Sequence, residues 1–235
     1  MSLKKKIFEE KHLNSPNMIF SFPGVGFTSP IVGEYITNHS KNELLLGAWF
    51  EDSHLAIGIH DGKMNYPISL YYIKKYDTLL LHSLVNPNKH IEGFLELISD
   101  IYTDYNISEI ITIDGIIGSE KKNSNIFYYS NHDCKINDSN VKKIENGVLL
   151  GFSSHLLLKD INTTAIYSMT SLKSSDVYSS LNVLELLNNE FGIDIDDKEL
   201  KKKAKKFENK LKKMNLEKKV NKLKNKKKKD YNYIG

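Results

Sequence analysis

The stretch Phe22-Pro23-Gly24-Val25-Gly26-Phe27 is the first whose residue types could do chemistry. A hydrophobic run, Met18 to Phe22, ends there in a Pro-Gly-x-Gly turn, and a helical-looking segment from about Thr28 to His39 follows. A glycine turn between strand and helix can hold an anion, because helix N-terminal amides attract negative charge. It is also the tightest way to turn a strand into a helix. Only half of a dinucleotide fingerprint is present: Ser29 stands where the third glycine would fall, and the next glycine is Gly33. There is no Walker Gly-Lys-Ser/Thr. Asp114 closes a second apolar segment, Glu109 to Ile113, and is followed by Gly115 and Gly118. Ligands of open α/β sheets bind at the C-terminal ends of strands. Gly24, Gly26, Asp114, Gly115 and Gly118 therefore form the candidate ligand site, for a phosphate or a nucleoside-like molecule. A purely structural turn is the alternative.

Other reactive residues form no catalytic pattern. His132-Asp133-Cys134 lies in a polar loop, and a nucleophile and its base usually meet through the fold rather than side by side in sequence. Ser153-Ser154-His155 lacks the glycine that would complete a nucleophile elbow, so helix capping accounts better for its serines. The eight histidines are scattered, with no His-Glu-x-x-His and no paired cysteine. The sequence has no arginine, so guanidinium clamps on phosphate or carboxylate are unavailable. No catalytic residue, metal site or cofactor is assigned, and the chain is read as a non-enzyme.

The far end of the chain is more suggestive. After Lys226 to Asp230 come Tyr231-Asn232-Tyr233-Ile234-Gly235. Two tyrosines and an isoleucine on a polar tail add nothing to a core. Tyr231, Tyr233, Ile234 and Gly235 read as a partner-binding anchor: aromatic knobs for a pocket and, if Gly235 is the native end, a carboxylate for a partner lysine.

Charge divides the chain in the same place. Lys198 to Asp230 holds 17 Lys against 4 acids, a net +13, whereas residues 1–197 hold 16 Lys against 25 acids, a net −9. A basic helix can lie on its own acidic body, on a neighbouring subunit, or on an acidic partner. Nucleic acid is disfavoured, because no aromatics interleave with the lysines from 208 to 229 and the body would repel a polyanion. Hydrophobic residues make up 40% of the 235, enough for a core, but no run of about 18 spans a membrane. The basic start, Met1 to Lys6, has no apolar region behind it, so no signal peptide is expected. With the single Cys134, this predicts a cytoplasmic protein.

The elements that position these residues alternate. Strands are expected at Leu44 to Phe50, Ile68 to Ile73, Thr78 to His82, Glu109 to Ile113, Ile126 to Ser130, Gly147 to Gly151 and Thr164 to Met169. A hairpin is expected around Asp61-Gly62. Ile91, Phe94, Leu95, Ile98, Ile101, Tyr102 and Tyr105 mark one helix face, and Tyr178, Leu181, Leu184, Leu187 and Phe191 another, with a short helix from Ser153 to about Ile161 between them. This pattern predicts an α/β fold with a mostly parallel, mixed sheet covered on both faces: three layers, α/β/α. A last helix, capped by Asp196 or Asp197, runs from Lys198 towards Lys229, with Leu200, Ala204, Phe207, Leu211 and Met214 as a two-heptad seam. The expected organisation is a lead-in (1–16), an α/β domain (17–195), a Lys-rich helical extension (196–230) and a tail (231–235).

Several stretches match one family in order. Ile19 to Gly26, Glu109 to Ile116 with Gly118, Gly147 to Ser153, and the helix leading into Phe191-Gly192-Ile193-Asp194-Ile195-Asp196 together resemble the PAC2 family of proteasome assembly chaperones. The Lys-rich helix sits where archaeal members carry a helical extension. The resemblance implies a nucleoside-phosphorylase-like α/β/α body without its catalytic apparatus, a homo-oligomer, and contact with proteasome α subunits. Some proteasome-binding chaperones end in a hydrophobic residue, a Tyr and any last residue; here Tyr233 is third from the end, preceded by Asn232.

Overall fold

The computed structural model describes residues 2–51, 57–60, 62–118, 126–134, 136–170, 176–203 and 205. In chain order the elements are β1 (Leu3–Ile7), β2 (Asn17–Ser21), α1 (Thr28–His39), β3 (Glu43–Phe50), β4 (Gly58–His60), β5 (Lys63–Asn65), β6 (Ile68–Ile73), β7 (Thr78–Ser83), α2 (Ile91–Asp104), β8 (Glu109–Ile117), β9 (Ile126–Ser130), β10 (Val141–Lys143), α3 (Phe152–Leu157), β11 (Thr163–Thr170) and α4 (Val177–Glu190).

Nine strands form one mixed sheet in the order β1-β3-β6-β7-β2-β8-β11-β9-β10. Its centre, β7-β2-β8-β11, is parallel. The β1, β3 and β6 flank is antiparallel, as is the β9–β11 pair. Central parallel strands are covered on both faces, so β2 reads as a continuous apolar run rather than an alternation. Its residues divide between two cores. Met18, Phe20 and Phe22 face α2 and α3 with Phe94, Ile98 and Phe152. Ile19 faces α1 and α4 with Val32, Ile111, Leu184 and Leu187. Phe20 packs edge-on against Phe152 at 5.7 Å between ring centres, tying β2 to α3. In α2 the buried set Phe94, Leu97, Ile98 and Ile101 recurs at helical spacing. The three-layer expectation agrees with these two cores.

Four local differences from the sequence reading have physical reasons. The lead-in contains β1, which pairs antiparallel with β3 from Leu3 opposite Phe50 to Ile7 opposite Leu46. Its Leu-Lys-Lys-Lys-Ile sequence shows no alternation because it is an edge strand, where lysines guard the open edge. Residues 147–150 are not a strand. The edge beside β9 is taken by β10, and Val148 and Leu150 are left 84% and 77% exposed. Helix α3 stops at Leu157, short of Ile161. The last helix begins at Lys198, whose N–H donates to Asp196 Oδ1 at 3.0 Å, and the seam's first member, Leu200, is buried against α1 and α4 rather than held out for another helix. The rest of that seam from Phe207 on, and Ala204, lie outside the described residues. Among the described residues no helix is long and apolar enough to cross a membrane.

Candidate functional site

The parallel strands β2, β8 and β11 end side by side, and their C-terminal ends gather most of the residues singled out by sequence. Gly24 and Gly26 follow β2, whereas Asp114 and Gly115 lie inside β8, which continues to Ile117 through its pairing with β11 instead of ending at Ile113 as expected. Gly118 is just beyond, its N–H bonded to the Thr170 carbonyl at 3.0 Å and its Cα against the Met169 side chain. Tyr231, Tyr233, Ile234 and Gly235 lie outside the described residues.

The glycine turn is built from bonds internal to the protein. The Phe27 N–H closes it on the Gly24 carbonyl at 3.3 Å, and Gly26 adopts φ 71°, a left-handed conformation suited to glycine. A Cβ on Gly26 would lie 2.8 Å from Thr170 Cγ2. The Gly26 carbonyl accepts the Asp176 N–H at 2.7 Å. Asp176 is the residue the sequence reading missed here. Its Oδ1 caps α4, accepting from the N–H groups of Tyr178 and Ser179, and its Oδ2 accepts the Thr170 hydroxyl at 2.6 Å. A chain of buried hydroxyls, Thr28–Ser179–Ser168, then joins the starts of α1 and α4 at 3.0 and 2.6 Å. An Asp just ahead of an apolar helical pattern is the signal that points to it.

Asp114 faces the other side of the sheet. Its direct neighbour in register on β11 is Tyr167. Two glycine turns close on its carboxyl group. A Cβ on Gly24 would lie 2.5 Å from Asp114 Oδ1, and one on Gly151, which has φ 93°, 3.4 Å from Oδ2. Oδ1 accepts the Gly115 N–H at 2.8 Å. Burial pushes the carboxyl up to about 6, while the Gly115 bond pulls the other way, and no described lysine offsets the burial. Tyr167 is 3% exposed, and burial, with Asp114 adding to it, pushes its phenol up to about 12. The hydroxyls of Ser153 and Ser154 face that phenol. Ser153 accepts from Thr112 at 2.9 Å, and neither serine side chain caps α3. The buried Tyr167 Oη and Ser154 Oγ interact across this contact without a short, well-aligned hydrogen bond.

The remaining reactive residues do not converge on this site. His132 sits at the opposite end of the sheet, 3.0 Å from Glu109 Oε1. Nearby Cys134 has its thiol pushed up, chiefly by burial, which disfavours a thiolate nucleophile. His82 lies 3.1 Å from Ser21 Oγ, where Gly33 of α1 makes room for both side chains, and burial holds its imidazole down at about 4. The Ser21 hydroxyl donates to the Ser29 carbonyl, so this Ser–His pair braces the turn. No group of three or more His, Cys, Asp or Glu among the described residues could hold a metal ion.

Comparison with known proteins covers nearly the whole chain. A model of the PAC2 family matches residues 18–215. The uncharacterized protein MJ0106 of Methanocaldococcus jannaschii is 27% identical over 207 residues, 85% of each chain. Among solved structures, Pyrococcus furiosus PbaA, described as an archaeal homolog of proteasome-assembly chaperone, superposes with a TM-score of 0.78 at 18% identity, over 99% of both chains. P. furiosus PbaB, described as an archaeal proteasome activator, gives 0.77 at 16% identity, over 91% of this chain and 98% of its own. A Thermoplasma acidophilum protein of unknown function gives 0.72 at 18%, over 94% and 93%.

Proposed function

The chain belongs to the PAC2 family, and on that premise we propose that it is a proteasome-assembly chaperone-like protein that binds proteasome α subunits. In this reading it acts by binding, without catalysis, as a cytoplasmic homo-oligomer. The α/β/α body is the platform. The basic segment follows it in sequence, and Tyr231, Tyr233, Ile234 and Gly235 enter pockets between α subunits. Tyr233 is the aromatic anchor, and the lysines steer encounter with an acidic surface.

The observation that carries this reading is the family match from 18 to 215, which spans the body and the first part of the basic segment. The names borne by PbaA and PbaB point to the same class of partner. The internal bonding of the glycine turn supports a structural role for Gly24 and Gly26, which leaves binding to other surfaces. The test is co-purification of archaeal α rings with the full chain and with a chain ending at Asp230. The full chain retains α subunits and the shortened one loses them; equal retention overturns the tail mechanism.

A further inference from the structure

We propose that protonation of His39 tightens the docking of the last helix, which begins at Lys198, onto α1, so that the attachment of the basic segment to the body depends on pH. This concerns the start of that segment and does not rest on the tail entering pockets between α subunits.

His39 is the last residue of α1. Both nitrogens of its ring face oxygen acceptors. Nδ1 lies 2.9 Å from the Tyr35 carbonyl, one turn back, and Nε2 lies 3.1 Å from Glu199 Oε2 on the last helix. The Tyr35 ring stacks on the imidazole with 3.9 Å between ring centres. The Tyr35 hydroxyl is itself tied across the same contact, donating to the Asp196 carbonyl at 2.9 Å. A neutral imidazole carries a single N–H. In that form one of the two nitrogens turns a lone pair towards an oxygen lone pair, whereas the imidazolium donates to both. The added proton replaces this repulsion with a charge-assisted bond between α1 and the last helix.

The groups around the ring leave His39 as the one that changes charge. Glu199 is held below the usual carboxylate range, chiefly by its bond to Lys203 and then by His39. Asp196 is lowered chiefly by the Lys198 N–H that it caps. Tyr35 is pushed up, chiefly by burial, and Lys203 by its bond to Glu199. Lys41, Lys75, Tyr76, Asp194, Asp197 and Lys198 line the cleft that adjoins the ring. Lysines, tyrosines and carboxylates ordinarily keep their charge state between pH 5.5 and pH 8, and histidine is the side chain whose ordinary range falls inside that window.

The other contacts of the helix do not need that proton. Leu200 is buried against α1 and α4, and Lys201 pairs with Glu185 of α4 at 3.0 Å. The helix is therefore docked throughout, and His39 sets how firmly. Because the proton completes the contact, docking strengthens as pH falls. The two side chains are 30% and 54% exposed, which limits the gain to about two- to fivefold in the local opening equilibrium.

The test is hydrogen exchange of the full chain at pH 5.5 and pH 8, read by mass spectrometry with each rate divided by the intrinsic chemical rate at that pH. A peptide covering 198–203 reports the docking, and one from α2 reports opening of the whole body. The expected result is protection of 198–203 about two- to fivefold higher at pH 5.5 than at pH 8, beyond any change in α2. His39→Gln abolishes this difference. Glu199→Gln abolishes it from the other side of the contact and leaves α1 unaltered, which separates the effect from fraying of α1. Equal protection at the two pH values in the parent overturns the proposal, as does a pH difference that survives in either variant.

Discussion

The backbone N–H of Asp176 donates to the carbonyl of Gly26 at 2.7 Å. This bond joins the first turn of the chain to the start of α4, and the Asp176 side chain secures both ends by capping α4 and accepting the Thr170 hydroxyl. Replacing Asp176 with Ala removes the cap and the bond accepted from the Thr170 hydroxyl. We expect a loss of about 2–3 kcal/mol in unfolding free energy by urea titration. Asp176→Asn, which can still cap, should lose less than half of that.

Gly24 and Asp114 are coupled by contact. A methyl group at position 24 would press on Asp114 Oδ1, so Gly24→Ala should cost about 1–3 kcal/mol. In an Asp114→Ala background the obstruction is gone, and the same substitution should cost under about 0.5 kcal/mol. A double-mutant cycle measured by denaturant unfolding reads this non-additivity directly.

Two partly buried groups give stability opposite dependences on pH. His82 is held at about 4 against an ordinary 6.5. The unfolded chain therefore binds the extra proton first, and stability present above pH 6.5 is lost as pH falls towards 4. Asp114 is raised to about 6 from 3.8. Its contribution is present below pH 3.8 and lost as pH rises through 6. Each is worth at most about 3–3.5 kcal/mol, so the two offset each other across pH 4–6. Asp114→Asn should be more stable than the parent at pH 8 and should show the steeper decline on acidification. His82→Asn should show the reverse trend, gaining stability from pH 6 to pH 4. Chemical unfolding at half-unit pH steps checks both signs.

What could be read from the sequence was local. The run Met18 to Phe22, broken by Pro-Gly-Val-Gly, marks β2 and its turn without outside help. The helical spacing of Phe94, Ile98 and Ile101 marks α2. Strand β1 was not legible, because three lysines on an edge strand take their conformation from pairing with β3. Residues 147–150 fail in the opposite sense: they are apolar enough for a strand, but pairing depends on a free neighbour, and β10 holds that edge. The candidate site was half legible. Asp114 stood out as a carboxylate at a strand end, whereas Tyr167 became its neighbour only through the β8–β11 register. No spacing rule links residues on separate strands.

Leu200 shows the same limit at the start of the last helix. Its heptad spacing with later residues suggested a seam for helix pairing, yet it is 2% exposed within the body's own core. Leu200→Ala should therefore cost about 2–4 kcal/mol of stability. The loss should not vary with protein concentration, as denaturant unfolding over a hundredfold dilution will show.

The central claim is that the chain engages proteasome α subunits through its final residues. The most direct measurement is the equilibrium affinity of the full chain for isolated archaeal α rings, compared with Tyr233→Ala and with the chain ending at Asp230. We predict binding that Tyr233→Ala weakens at least tenfold and that truncation abolishes, with the body still folded by circular dichroism. Unchanged affinity in both variants, or no binding by the full chain, would contradict the account.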